Sequence, residues 1–266
     1  MNHAISEKEF LNNYIRFAAV HRWRVANSCF DQLRQADDKS PERAHLVLEI
    51  FCCYLLIMED LLMWYGVLKK TQTPTDEPLM DVLNDMKLSP SVKKNALMFL
   101  KEIEDMPVTD FMGLLSFPKT VGAIPTSLSA GEYETERKPV MRLKKELADA
   151  INTFLHGKTG YWQEGTFVRC LNKIKHGLLV MRRSKSNGTS QFVEIFPNGT
   201  RSETPLPIVS SSEDDASKTL SEIVKLTVAF VGMLTAVYQN RFGCDPVGDL
   251  PDNLVRAFKN RCAFST

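Results

Sequence analysis

The chain lacks any C-x-x-C pair. Its six cysteines stand at 29, 52, 53, 170, 244 and 262, and no spacing among them suits a zinc site. They read as small buried apolar residues held as thiols in a reducing compartment. The opening MNHAISEKEF has no apolar signal core, so the expected location is the cytoplasm. An unbroken apolar run of membrane length is also missing. Leu46 to Leu68 is interrupted by Glu49, Glu59 and Asp60, and Leu226 to Tyr238 falls short of the ~20 residues that a span requires. Both stretches read as core helices, and no membrane partner is expected.

Other absences narrow the chemistry. There is no Ser-His-Asp grouping, no H-E-x-x-H, no dinucleotide fingerprint and no EF-hand loop. The string His156-Gly-Lys-Thr-Gly160 lacks the Walker A spacing and follows a helical pattern, which excludes a nucleoside-triphosphate loop. No metal and no cofactor is therefore expected. Asn187-Gly-Thr and Asn198-Gly-Thr match the glycosylation sequon but read as Asn-Gly turns in a cytoplasmic protein. The net charge is only +1, too small for a protein that wraps nucleic acid on every side. No internal repeat or low-complexity run is present.

What remains is a chain of 266 residues, 44% apolar, enough for one large domain or two small ones with a real core, and the reading taken is a single domain. Its periodicity predicts a mainly α fold, a helical bundle with core helices at about 6–35, 41–68, 141–155, 162–176 and 216–240. In the first, Ser6 and Glu9 form a capping box, and Phe10, Tyr14, Phe17 and Val20 or His21 share one side. The cluster His21, Arg22, Trp23, Arg24 reads as packing by Trp23 and solvated cations more readily than as an RNA contact. Ser40-Pro41-Glu42-Arg43 opens the second helix, whose apolar residues cover nearly its whole circumference. That marks it as the most buried helix, in which Glu49, Glu59 and Asp60 each need a partner. Shorter helices are expected near 79–86 and over 89–105. With four prolines and three glycines, 106–139 reads as a long loop insertion. The helix 141–155 turns Met141, Leu143, Leu147, Ala148, Ile151 and Phe154 inward and Arg142, Lys144 and Lys145 outward. A β-hairpin is expected over 178–197, with Leu206 to Val209 as a possible third strand.

The stretch with the strongest chemical pattern is FVRCLNKIKHGL, residues 167–178. At about 100° per residue Phe167, Cys170, Leu171, Ile174 and Leu178 form an apolar stripe, and Arg169, Asn172, Lys173 and His176 fall opposite. Arg169 and His176 are two turns apart on one face, with Gly177 behind them to end the helix. From Arg137 to Lys185 there are twelve cations and three acids, a local charge of +9 that leaves −8 for the rest of the chain. A basic field confined to one segment suits a polyanion held in one place.

These residues resemble the Arg-x(4 to 6)-His signature of the HEPN domains, small helical proteins often found in prokaryotic toxin and phage-defence systems. The NKIKHG core is similar to the N-K-x-K-H-G ending of several branches of that group. The resemblance implies a HEPN-like bundle that dimerises so that two motifs form one RNA-cleaving cleft. It implies catalytic roles for Arg169 and His176, assisted by Asn172, and RNA contacts from Lys173, Lys175, Arg182 and Arg183. An acid on an early helix, Glu59 or Asp60, would orient the Arg or the imidazole. A defence-system or antitoxin partner would be in keeping with that group. The alternative reading is a non-catalytic helical module that uses the same basic face to bind RNA, nucleotide or a partner protein.

Overall fold

The computed structural model describes residues 5–37, 40, 42–71, 79–88, 92–115, 130–156, 180–184, 190–194 and 213–246, and these are mainly α-helical. In chain order they form α1 (Glu7–Asn13), a π-helical segment (Tyr14–Ala18), α2 (Ala19–Gln35), α3 (Glu42–Lys70), α4 (Leu79–Asp85), α5 (Val92–Asp105), α6 (Val108–Leu114) and α7 (Ala130–His156). Strands β1 (Val180–Ser184) and β2 (Ser190–Glu194) follow, then α8 (Glu213–Phe242). The two strands pair antiparallel, with Arg182 opposite Phe192 and Arg183 opposite Gln191. The backbone groups into two compact units. One comprises residues 1–21, 57–151 and 224–266, the other 22–56 and 152–223.

Ser6 opens α1 from an extended conformation, and its hydroxyl accepts the Glu9 N–H at 3.2 Å. The helix then widens: the Ala19 N–H reaches back five residues to the Tyr14 carbonyl. This inserted residue changes which side chains face inward. A constant 100° step places Phe10, Tyr14 and Phe17 together, but Leu11, Ile15, Ala19 and Val20 form the buried line and Phe17 is 54% exposed. Phe10 and Tyr14 instead pack on the Trp64 ring, with centroids at 6.4 and 4.9 Å. Trp23 is buried, in keeping with a packing role.

The α3 helix is buried around most of its circumference, from Leu46 to Leu68, as its apolar composition requires. In its own unit Tyr54 meets the Phe154 ring edge-on at 5.5 Å. The last helix, α8, is long and apolar enough by length and composition to cross a membrane. Its buried residues, among them Ala216, Ile223, Leu226, Phe230, Leu234 and Tyr238, make it a core helix of this fold.

Two further expectations need correction. The stretch 106–139, expected as a loop, contains α6 and the first ten residues of α7. Pro139 lies inside α7, where it removes one intrahelical hydrogen bond, yet the helix continues through it. The inward face of α7 is also rotated. Val140, Leu147, Ala150, Ile151, Phe154 and Leu155 are buried, Met141 is exposed, and Leu143 and Ala148 are half-buried. Of its three outward cations only Lys145 is exposed; Arg142 pairs with Glu146 at 3.2 Å.

Helix ends commonly close through a left-handed glycine. Among the described residues only Gly243 does so, with φ 64° and its N–H on the Gln239 carbonyl, ending α8. At four other ends a side chain from another helix takes the exposed groups. Arg43, buried in the first turn of α3, donates to the Leu33 and Ala36 carbonyls at 2.9 Å each, closing the end of α2. Lys144 donates to the Glu104 carbonyl near the end of α5, and Asn240 to the Leu115 carbonyl just past α6. Glu7 accepts the first N–H of α4, from Leu79, and also holds Arg241. A cation beside terminal carbonyls and a carboxylate beside a free N–H both match the helix dipole.

Charge-assisted bonds of this kind are worth about 1.5–3 kcal/mol each when buried. Arg43→Ala is therefore expected to lower stability by roughly 2–3 kcal/mol, read as a lower urea midpoint without loss of helicity in native buffer. The buried thiols supply a second test. Burial, followed by the neighbouring Glu49 and Cys29, pushes the Cys53 thiol up to about 12, against a smaller opposing effect of Arg22. Burial and Glu49 also raise Cys29. At pH 8 Cys53 is expected to alkylate at least ~100-fold more slowly in native than in urea-unfolded protein, measured by mass spectrometry of iodoacetamide-treated peptides.

Candidate functional site

A concave site lies within the first unit, between the end of α3, α4 and α5. It begins with a local sequence choice. Tyr65, Gly66 and Lys69 occupy the last turns of α3, and the i, i+4 spacing puts Tyr65 and Lys69 on one face. Gly66 between them lets the Met86 methyl, just after α4, lie against the helix backbone, and a Cβ there would push that flexible side chain aside. The resulting cleft, about 220 Å³ in volume, is lined mainly by apolar groups.

One edge of the cleft is polar. Glu102, on α5, accepts a hydrogen bond from the Tyr65 hydroxyl at 2.6 Å and another from the Lys69 ammonium at 2.8 Å, both on Oε2. Tyr65 is further fixed by the Phe99 ring, 3.6 Å away between centroids, and by Lys69 at 5.7 Å from its own ring centre. Burial raises the Tyr65 phenol well above its ordinary range, reinforced by its hydrogen bond to the Glu102 carboxylate. Burial pushes Glu102 upward as well, but the hydrogen bonds from Lys69 and Tyr65 outweigh it and hold the carboxyl below its usual value. The group is thus a phenol that stays protonated and a carboxylate that stays charged. Both are suited to positioning a ligand rather than to moving a proton at neutral pH.

The residues singled out in the sequence lie elsewhere. Arg169, Asn172, Lys173, Lys175 and His176 fall outside the described residues. Arg182 and Arg183 lie on β1, in register with β2. Glu59 and Asp60 sit half-buried on α3, and each is engaged by an interaction. Among the described residues no group of three or more His, Cys, Asp or Glu side chains could hold a metal ion. The Tyr65, Lys69, Glu102 cluster was not foreseen. Y-x-x-x-K near a helix end is a weak local cue, and nothing in sequence couples it to an acid 33 residues later.

A scan against protein-family models and searches of curated proteins and of solved structures find no match to this chain.

The pH dependence of the cluster follows from its signs. Because the Glu102 carboxyl is depressed below its ordinary 4.5, its contribution is fully present above that pH and is lost as pH falls through the depressed value. Glu102→Gln is expected to lower stability by about 1 kcal/mol at pH 7. The gap between wild type and variant should persist at pH 5 and close in stronger acid, as read from urea midpoints at pH 7, 5, 4 and 3.

Proposed function

We propose that this chain is a metal-independent endoribonuclease of the HEPN type. The observation that carries the reading is the pairing of Arg169 with His176, seven positions on and inside NKIKHG, in a segment of charge +9. A mainly helical fold and a buried helix bearing the acids Glu59 and Asp60 are in keeping with it.

In the reaction the RNA 2′-hydroxyl attacks the adjacent phosphorus, the bond to the 5′-oxygen breaks, and a 2′,3′-cyclic phosphate forms. One histidine takes the 2′ proton and a second returns a proton to the departing 5′-oxygen. Each chain supplies a single His176 in the motif, so the reading calls for a homodimer in which two motifs share a cleft. Imidazole suits the task because its ordinary pKa of ~6.5 lies near working pH. Arg169 stabilises charge on the phosphoryl oxygens by a bidentate contact, and Asn172 positions the phosphate or the imidazole. Lys173, Lys175, Arg182 and Arg183 supply the field that holds the RNA backbone. A defence or stress role, with an antitoxin or similar partner, accords with the resemblance.

One feature favours a second reading, a non-catalytic module that binds RNA, nucleotide or protein through the same residues. The position after Arg169 is Cys170, where active HEPN proteins often carry a polar residue. RNA cleavage in EDTA separates the two. Wild type is expected to cleave, and His176→Ala to lose at least ~100-fold of the rate while keeping its melting temperature and sedimentation. RNA bound but not cleaved by wild type would replace the enzyme with the binding module.

A further inference from the structure

We propose that the cleft between α3, α4 and α5 binds a small amphipathic anion, a carboxylate with an apolar body. The inference stands apart from the ribonuclease reading, since it uses neither Arg169 nor His176. The walls are apolar: Leu62, Met86, Leu88, Met98 and Phe99 line a space of about 220 Å³. That is room for roughly ten non-hydrogen atoms, more than the benzene-sized occupant of a ~150 Å³ cavity. An apolar body gains by leaving water for walls of this kind.

The edge of the cleft decides the sign of the head group. Lys69 and Lys70 both line it and both are exposed, whereas among the described lining residues a single carboxylate, Glu102, faces them. Glu102 is already committed on one oxygen to Tyr65 and Lys69. The terminal carbonyls of α3 add about half a negative charge nearby, and the second lysine outweighs it. A net positive rim on an apolar cleft matches an anionic head on an apolar tail. Lys70, with its flexible stem and exposed ammonium, is the head-group contact.

Two features fit an opening that admits a ligand. Met98 is 55% exposed while lining the cleft, and Leu97 beside it is 45% exposed, so apolar surface continues outward from the mouth. Met86, packed against the bare backbone of Gly66, is an unbranched side chain that can rearrange around differently shaped bodies.

The test is calorimetric titration of the full-length chain with octanoate and with 1-octanol, which share a tail and differ in charge. Saturable octanoate binding is expected at a dissociation constant on the order of 0.1–1 mM, with octanol at least fivefold weaker. Lys70→Gln should weaken octanoate about fivefold and leave octanol unchanged. Met98→Trp, which fills the cleft from an exposed position and so spares the fold, should abolish both. Melting curves of each variant confirm that it is folded. Absence of saturable octanoate binding to folded wild type overturns the site, as does binding that survives Met98→Trp. Equal affinity for the two compounds, or an octanoate affinity indifferent to Lys70→Gln, overturns the anion.

Discussion

The described fold depends on how its helix ends are closed. A buried helix end without partners leaves up to four donors or acceptors dry, and each costs more than an ordinary hydrogen bond returns. The usual local remedy, a left-handed glycine after the last turn, is used at Gly243. At α2, α5 and α6 the carbonyls are taken by Arg43, Lys144 and Asn240, and at α4 the amide is taken by Glu7. In each case the partner belongs to another helix, so satisfying the backbone and assembling the bundle become the same event. Lys144 and Arg142, which read in isolation as members of a basic surface, are half-buried and engaged within the fold.

The same economy shapes the cleft. Helix α3 is apolar on nearly every side, and at its last turns it exchanges bulk for access: Gly66 lets Met86 approach the backbone, while Tyr65 and Lys69 reach Glu102. The polar cluster fixes α3 against α5 at one edge and leaves the apolar space beside it unfilled. A dense core would not leave such a space. Packing that stabilises the helix pair and packing that shapes the cleft therefore involve the same few residues.

How much of this could be read from the chain differs by element, and the differences have causes. The burial of α3 was legible because composition alone forces it: a helix apolar all round has no face to give to water. The start of α7 was not, because the prolines and glycines between 106 and 139 imitate a loop and Pro139 is tolerated inside the helix. The inward face of α7 was misjudged at Met141 because two neighbouring apolar residues, Val140 and Met141, compete for one position, and tertiary packing chose Val140. The Arg169 and His176 motif was legible as a local pattern, and its residues lie outside those the structure describes. The cleft was illegible for the opposite reason: its polar pair joins residues 37 apart, and no local periodicity encodes such a contact.

The π-helical segment has a consequence for how this chain could tolerate change in length. Leu11 and Ala19 are eight residues apart, which in a uniform helix would leave their directions about 80° out of phase. One residue absorbed between Tyr14 and Ala18 brings them within about 20°, and both are buried. Loss of a single residue inside that segment would regularise the helix and keep both flanks in phase. The same loss one turn earlier or later would swing one flank by about 100° and carry its apolar line into water. The widened turn therefore marks the one window in this helix where a codon-sized deletion is geometrically silent.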